Sequence, residues 1–185
     1  MAQHFNIAGE LTQELLAPGS NVSVSRVSLT NTQKVSKCKV DLYIERTSTF
    51  APSTNESANS TTGKFYFLKQ VELPIGATLI YDNIRFSNAS NGFGLYIKLT
   101  DGATFTLTGS INPGASATLS SDETSGTAFL SEVSVGDEIV VSSETRTVNK
   151  LSGDDGLVVT AAFTDTANDT TPDCNPTALV DVILG

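Results

Sequence analysis

The chain has no tryptophan, one histidine and two cysteines, and only 17% of its 185 residues are charged, against an ordinary share of about 25%. Each scarcity removes a class of function. A Ser-His-Asp or Cys-His arrangement would have to use His4, as would a mixed zinc site. His4 is expected in the first strand or in a frayed terminus, where a histidine is rarely held rigidly enough for catalysis, so no catalytic residue is expected there. Cys38 and Cys174 are too few for a disulfide scaffold and lack metal-ligand spacing. Cys38 falls on an apolar strand face, so a buried free thiol is expected, with a bridge to Cys174 as the alternative. No stretch approaches the roughly 20 apolar residues that cross a bilayer, and no membrane partner is expected. Met1-Ala2-Gln3-His4-Phe5 lacks a basic region followed by an apolar run, so no signal peptide is expected. Eleven Lys and Arg against 20 acids give a net charge of −9 and a pI near 4.4. That balance opposes direct binding to a phosphate backbone, which relies on basic side chains. The densest basic cluster, Lys34, Lys37 and Lys39, is read as a solvated strand edge. An acidic surface keeps many copies soluble before they assemble.

What the chain does have is Ser, Thr, Asn and Gly in abundance and apolar residues at every second position. Such alternation marks half-buried strands. Cys38, Val40, Leu42 and Ile44 share one face, while Lys37, Lys39, Asp41, Tyr43 and Glu45 share the other. Val22 and Val24 alternate, and Val27 and Leu29 resume on the opposite parity, which predicts a bulge at Ser25-Arg26. Further strands are predicted over 65–71, 78–81 and 95–99, then 126–133, 138–142, 145–151 and 156–163, and finally 178–184. In the strand ending at 163, Leu157, Val159, Ala161 and Phe163 are expected on one face. Residues 10–16 are read as a strand or a single turn, stopped by Pro18-Gly19. Asp101-Gly102 predicts a hairpin between 97–99 and 105–107; Asn91-Gly92 and Asp155-Gly156 are similar candidates. Leu73-Pro74-Ile75-Gly76 predicts a type I turn, and residues 51–63 a polar, mobile loop. The expectation is one domain from 1–112 plus 173–185 and a second over 113–172, with the last strand rejoining the first. Pairing of that strand with the second domain is the alternative.

The acids give no reactive pair. Glycoside cleavage needs two carboxylates fixed some 5–9 Å apart, whereas Asp101, Asp122, Glu123, Asp137, Glu138, Asp154 and Asp155 fall in predicted turns or on outward strand faces. There Asp supports turns through its side chain. Asp165, Asp169 and Asp173 lie four apart in a polar connector and could offer oxygens to calcium, but they lack the ligand density of an EF-hand loop. Gly92-Phe93-Gly94 has no following Lys-Ser/Thr and no helix to close a phosphate loop. No metal and no cofactor are expected, and the chain is not expected to be an enzyme. Sequons at Asn21, Asn55, Asn59, Asn88 and Asn168 are read as chance in a chain rich in Asn, Ser and Thr. Tyr43, Tyr66, Tyr81 and Tyr96 are candidates for stacking on a sugar if they lie exposed on sheets.

Two stretches carry a resemblance. The first runs from Glu14-Leu15-Leu16-Ala17-Pro18-Gly19 through the strand ending Leu29-Thr30-Asn31-Thr32. It continues into Val40-Asp41-Leu42-Tyr43-Ile44, Phe65-Tyr66-Phe67-Leu68 and Leu73-Pro74-Ile75-Gly76-Ala77-Thr78-Leu79. It resembles a β-sandwich module of tailed-phage virion proteins. The second comprises Gly126-Thr127-Ala128-Phe129, Val135-Gly136-Asp137-Glu138-Ile139, Arg146-Thr147-Val148-Asn149-Lys150-Leu151 and the strand from Leu157 to Phe163. It is similar to a small β-barrel repeat of phage tail, fibre and capsid-associated proteins. The implied fold is all-β: an antiparallel β-sandwich of immunoglobulin or jelly-roll type, with a small SH3-like β-barrel inserted before the last strand. The implied role is a virion structural protein, foremost a capsid decoration or cement protein, assembled in the host cytoplasm. Its partners would be capsid or tail subunits and further copies of itself. Neck, baseplate or fibre roles, or a carbohydrate-binding adhesive module, are the alternatives.

Overall fold

A computed structural model describes residues 2–46, 63–88 and 92–185. The chain is all-β and forms two units, one of Met1–Thr32, Cys38–Thr100 and Leu179–Gly185, the other of Gln33–Lys37 and Asp101–Ala178. The first unit begins with β1 (Gln3–Ala8), β2 (Thr12–Leu16), β3 (Ser23–Val24), β4 (Val27–Asn31) and β5 (Cys38–Arg46). It continues with β6 (Gly63–Leu73), β7 (Thr78–Tyr81), β8 (Phe86–Ser87) and β9 (Gly94–Thr100). The second unit holds β10 (Phe105–Thr106), β11 (Ser110–Ile111), β12 (Thr118–Leu119), β13 (Thr124–Ser125) and the short helix α1 (Phe129–Glu132). It closes with β14 (Glu138–Val141), β15 (Glu144–Gly153), β16 (Gly156–Val159) and β17 (Asp173–Asn175), after which β18 (Leu179–Leu184) returns to the first unit.

The first unit is a sandwich of two four-stranded antiparallel sheets, ordered β1-β18-β4-β7 and β2-β9-β5-β6, with a short β3-β8 ribbon. Alternation explains the packing. Val27 and Leu29, Val180 and Val182, and Leu95, Ile97 and Leu99 are fully buried, while Ser28, Thr30 and Lys98 point the other way. Each such aliphatic side chain stabilises the fold by about 1.5–3 kcal/mol. Between the sheets, the Phe67 ring lies 6.5 Å from the Tyr81 ring. The last strand is central, flanked by β1 and β4 in continuous registers.

At Ser25-Arg26 both backbone N–H groups donate to the Gly185 carbonyl, at 2.8 and 3.0 Å. Two residues face one, which is the bulge that the parity slip predicts. Ala17-Pro18-Gly19-Ser20 is a turn closed by Ser20 N–H to Ala17 at 3.2 Å, with Gly19 at φ +74°. The predicted type I turn at 73–76 is displaced by one residue. Ala77 N–H donates to Pro74, and Gly76, now third, takes φ +66°, the geometry of a type II turn. Residues 12–16 are a strand.

The second unit has a six-stranded sheet ordered β10-β17-β14-β15-β16-β12 and a β11-β13 ribbon. The sheet does not close, so the expected barrel is replaced by an open sheet. The unit is also larger than 113–172. Phe105 and Thr106 pair with Cys174 and Asp173, and β17 pairs with β14, which draws in 101–112 and 173–178. The Asp101-Gly102 hairpin is not formed, because β9 and β10 belong to different sheets. Instead the Asp101 carboxylate accepts the Ala178 N–H at 2.7 Å, and Gly102 sits so close to Ser36 that a Cβ would meet its Oγ at 1.8 Å. The turn expected at Asp155-Gly156 is displaced by one residue: Asp154-Asp155 forms the two-residue β15-β16 connection, with Gly153 opposite Gly156.

The strand expected over 126–133 is not formed, and half of those residues make up α1. Phe129 and Val133 are both fully buried and Leu130 is 54% exposed, the pattern of one helical face. Asp154 caps this turn from the neighbouring hairpin, its carbonyl accepting the Phe129 N–H and its carboxylate the Leu130 N–H. The strand after Gly156 ends at Val159, and Ala161 is exposed rather than inward, although Phe163 is buried. The core gathers Ile111, Leu119, Phe129, Ile139, Val148 and Leu157, among others. Among the described residues no helix is long and apolar enough to cross a membrane. The loop expected at 51–63 and the Asn91-Gly92 turn lie largely outside the described residues.

Candidate functional site

The sheet β2-β9-β5-β6 turns its apolar face to the core, and its other face carries an unusual rung. Glu14 pairs with Tyr96, Tyr96 with Tyr43, and Tyr43 with Tyr66, so one row crosses all four strands. The Tyr43 ring is 5.8 Å from Tyr96, nearly parallel at 20°, and 5.3 Å from Tyr66, tilted at 46°. Such pairs add about 0.5–1.5 kcal/mol beyond their burial. Tyr43 is buried beneath its neighbours, whereas Tyr66 is 41% exposed. The fourth tyrosine, Tyr81, faces the core with Phe67 and does not join the row.

Gly94 makes the row possible. A Cβ there would meet the Tyr96 ring at 2.8 Å, so the missing side chain is what lets the ring lie down along its strand. The Tyr96 hydroxyl donates to Glu14 at 3.0 Å. Burial, and then this hydrogen bond, push its pKa up to about 12. Two ammonium groups hang over the rings, Lys64 at 4.8 Å from the Tyr43 centroid and Lys69 at 4.6 Å from that of Tyr66. Lys64 also pairs with Glu45 at 3.7 Å. Desolvation lowers the Lys64 pKa, but Tyr43 and Glu45 outweigh it and hold it above the ordinary value. The result is a floor of three aromatic rings rimmed by carboxylates and ammonium groups.

The edge strand beside it is irregular. The β5-β6 register shifts on both sides of Leu42, and Gln70 takes φ +52° while its N–H donates to Asp41 at 2.6 Å. Bulges of this kind discourage a foreign strand from extending the ladder. The face of this sheet is therefore more regular than its β6 edge.

The other candidate residues are scattered. His4 is exposed on β1, opposite Ile183. Glu123 accepts the Ser120 N–H at 2.8 Å and the Ser120 hydroxyl, fixing its own turn. Asp122, Glu138 and Asp155 are exposed. Asp165 accepts the Ala167 N–H, Asp169 accepts from Ser142 and Thr171, and Asp173 accepts from the Thr106 hydroxyl. Each is held by a different segment, and among the described residues no three such groups converge as metal ligands. Gly92-Phe93-Gly94 is used for packing. Phe93 meets Phe65 edge-on at 5.8 Å and lies under the Arg46 guanidinium at 5.2 Å.

Lys34, Lys37 and Lys39 are all exposed, and Lys39 faces Glu72 across the ladder. Cys38 and Cys174 are both buried free thiols, and burial pushes Cys174 up to about 12. Asn88 is fully buried, with its amide nitrogen donating to the Ala17 carbonyl and the Ser20 hydroxyl. The Asn88 side chain thus ties down the turn at 17–20.

Sequence reasoning placed Asp137 in a turn. It is fully buried, and its carboxylate accepts the Ser134 N–H at 2.8 Å, the Thr177 N–H at 2.9 Å and the Gln33 amide at 2.8 Å. Gln33, likewise buried, was not singled out. Nothing local marks Gln33, because its partners Ser134 and Asp137 lie 101 and 104 positions away, and beyond Ser134 the partners of Asp137 are also remote in the chain. No protein-family model, no curated protein and no solved structure matches this chain, so the reading of its sites rests on these residues alone.

Proposed function

We propose that this chain is a structural protein of a tailed-phage particle, a capsid decoration or cement protein that binds neighbouring subunits and stabilises the assembly. The virion context rests on the two resembling stretches of sequence. The observation that carries the binding role is the Glu14-Tyr96-Tyr43-Tyr66 row, an aromatic surface fixed by register on the face of a rigid sheet. Tyrosine is enriched at the centres of protein interfaces because it offers large contact area and a polar tip at little entropic cost. The acids support the same reading, since most of those with partners hold loops and turns rather than facing one another across a cleft.

The test is co-sedimentation of the purified chain with capsids, necks and tails prepared without it. Retention on one of these, weakened about tenfold by Tyr66→Ala or Tyr96→Ala, is the expected result. No association with any preparation removes the proposal. A second reading is favoured by the flat Tyr96 ring over Gly94 beside Glu14, with Lys64 over the adjoining Tyr43, since a sugar ring stacks on such a floor while its hydroxyls bond to the rim. Glycan binding lost in the same two variants, without particle binding, would select it.

A further inference from the structure

We propose that Gln33 and Ser134 become joined by an internal ester, formed when the Ser134 hydroxyl attacks the Gln33 side-chain carbonyl and the amide nitrogen leaves as ammonia. Four features of the second unit bring the reacting groups together. The Ser134 hydroxyl donates to the Gln33 Oε1 at 2.6 Å, which places the nucleophile beside the acyl group. The carbonyl oxygen also accepts the Lys34 N–H at 2.7 Å and the Val35 N–H at 3.4 Å. These backbone donors sit where charge develops as the tetrahedral intermediate forms. The leaving nitrogen donates to Asp137 Oδ1 at 2.8 Å and to the Thr177 carbonyl at 2.9 Å. Water is kept away, since Gln33 is 2%, Ser134 7% and Asp137 0% exposed.

Asp137 is the one group placed to move the proton. Its Oδ1 touches the leaving nitrogen, and its Oδ2 accepts the Ser134 backbone N–H at 2.8 Å, so the carboxyl joins the leaving group to the backbone of the residue that carries the nucleophile. In the reaction the Oγ–Cδ bond forms and the Cδ–Nε2 bond breaks. The hydroxyl proton passes to the carbonyl oxygen it already faces. The protonated Asp137 gives its proton to Nε2, which departs with its own two hydrogens as ammonia, and Asp137 regains a proton as the ester carbonyl re-forms. The carbon stays at the carboxyl oxidation level, so no oxidant, reductant or further reactant is required. Burial, opposed by its hydrogen bonds, holds the Asp137 carboxyl above its ordinary range. That favours the protonated acid needed to discharge an amine. Fixed contact supplies the drive that a bimolecular reaction lacks, effective concentrations in aligned systems reaching about 10⁵ M or more. Loss of ammonia to dilute solution then prevents return. The bond would tie segment 33–37 covalently to the residues preceding β14.

Intact-mass measurement of the purified full chain tests this directly. The wild type is expected to be lighter than its sequence by one ammonia, about 17 Da. A tryptic peptide should join residues 27–34 to residues 99–146. Ser134→Ala and Asp137→Asn should restore the sequence mass, and Ser134→Thr, which keeps a hydroxyl, should retain the loss. Mass is read without regard to folding, and the threonine variant shows that chemistry rather than fold is at issue. A wild-type chain at its full sequence mass overturns the proposal. So does a loss that persists in Ser134→Ala, as an imide at Asn91-Gly92 would give.

Discussion

Glu144 shows how one half-buried carboxylate organises a loop. It accepts the Thr164 hydroxyl, the Thr164 N–H, the Asp165 N–H at 2.7 Å and a guanidinium hydrogen of Arg146. Bonds from Thr164 are the main reason its pKa falls from 4.5 to about 2, with Asp165 and Arg146 adding to them. A folded-state value below the unfolded one means stability that is complete above pH 4.5 and is lost as pH falls toward 2. Thermal unfolding of Glu144→Gln followed across that window should therefore show a shallower acid dependence than the wild type. Parallel curves for the two proteins would mean the loop is not held this way. Asp137 has the opposite sign. Its raised pKa makes its contribution most favourable below the ordinary carboxylate range, and that contribution is lost as pH climbs through the higher folded value. Acid thus loosens one carboxylate of this unit while favouring the other.

At the scale of elements, the β11-β13 ribbon depends on a close approach of two backbones. Gly109 has φ +81°, and a Cβ there would meet the Ser125 carbonyl oxygen at 2.1 Å and the Gly126 carbonyl carbon at 2.5 Å. Neither atom belongs to a flexible side chain, so the ribbon itself would have to move. Gly109→Ala should destabilise the second unit by about 2–3 kcal/mol, read as a lower denaturant midpoint. An unchanged midpoint would refute the close packing. Elements of this kind divide sharply in how legible they were. Leu95, Ile97 and Leu99 announce their strand because burial on one face is written as a period of two. The Ser25-Arg26 bulge was equally visible, as a parity slip. The tyrosine row was not, because it depends on the β5-β6 register, which shifts on both sides of Leu42 and has no local signature. Asp101-Gly102 misled for a related reason. The dipeptide favours a tight turn, but pairing of β10 with β17 outweighs that preference. In the same way Phe129 and Val133 satisfy either period when only two apolar positions are compared.

At the scale of the molecule, the chain passes between its two units at 32/33, 37/38, 100/101 and 178/179. The first unit is consequently complete only when the last residues have been added. Their strand, β18, lies in the middle of its sheet, bonded to β1 on one side and β4 on the other. Val182 stands at its centre with no exposure, paired to Phe5 and Leu29. Val182→Asp places a carboxyl among aliphatic side chains with no donor to receive it, a change costing roughly 4 kcal/mol or more. The first unit should then fail to hold its sheets, and its amides should lose protection in hydrogen exchange. The second unit draws none of its own core residues from 179–185, so amides around Ile139, Val148 and Leu157 should keep their protection in the same sample. Simultaneous loss of both sets would show that the two units fold as one, and that the crossings of the chain bind them more tightly than their separate cores require.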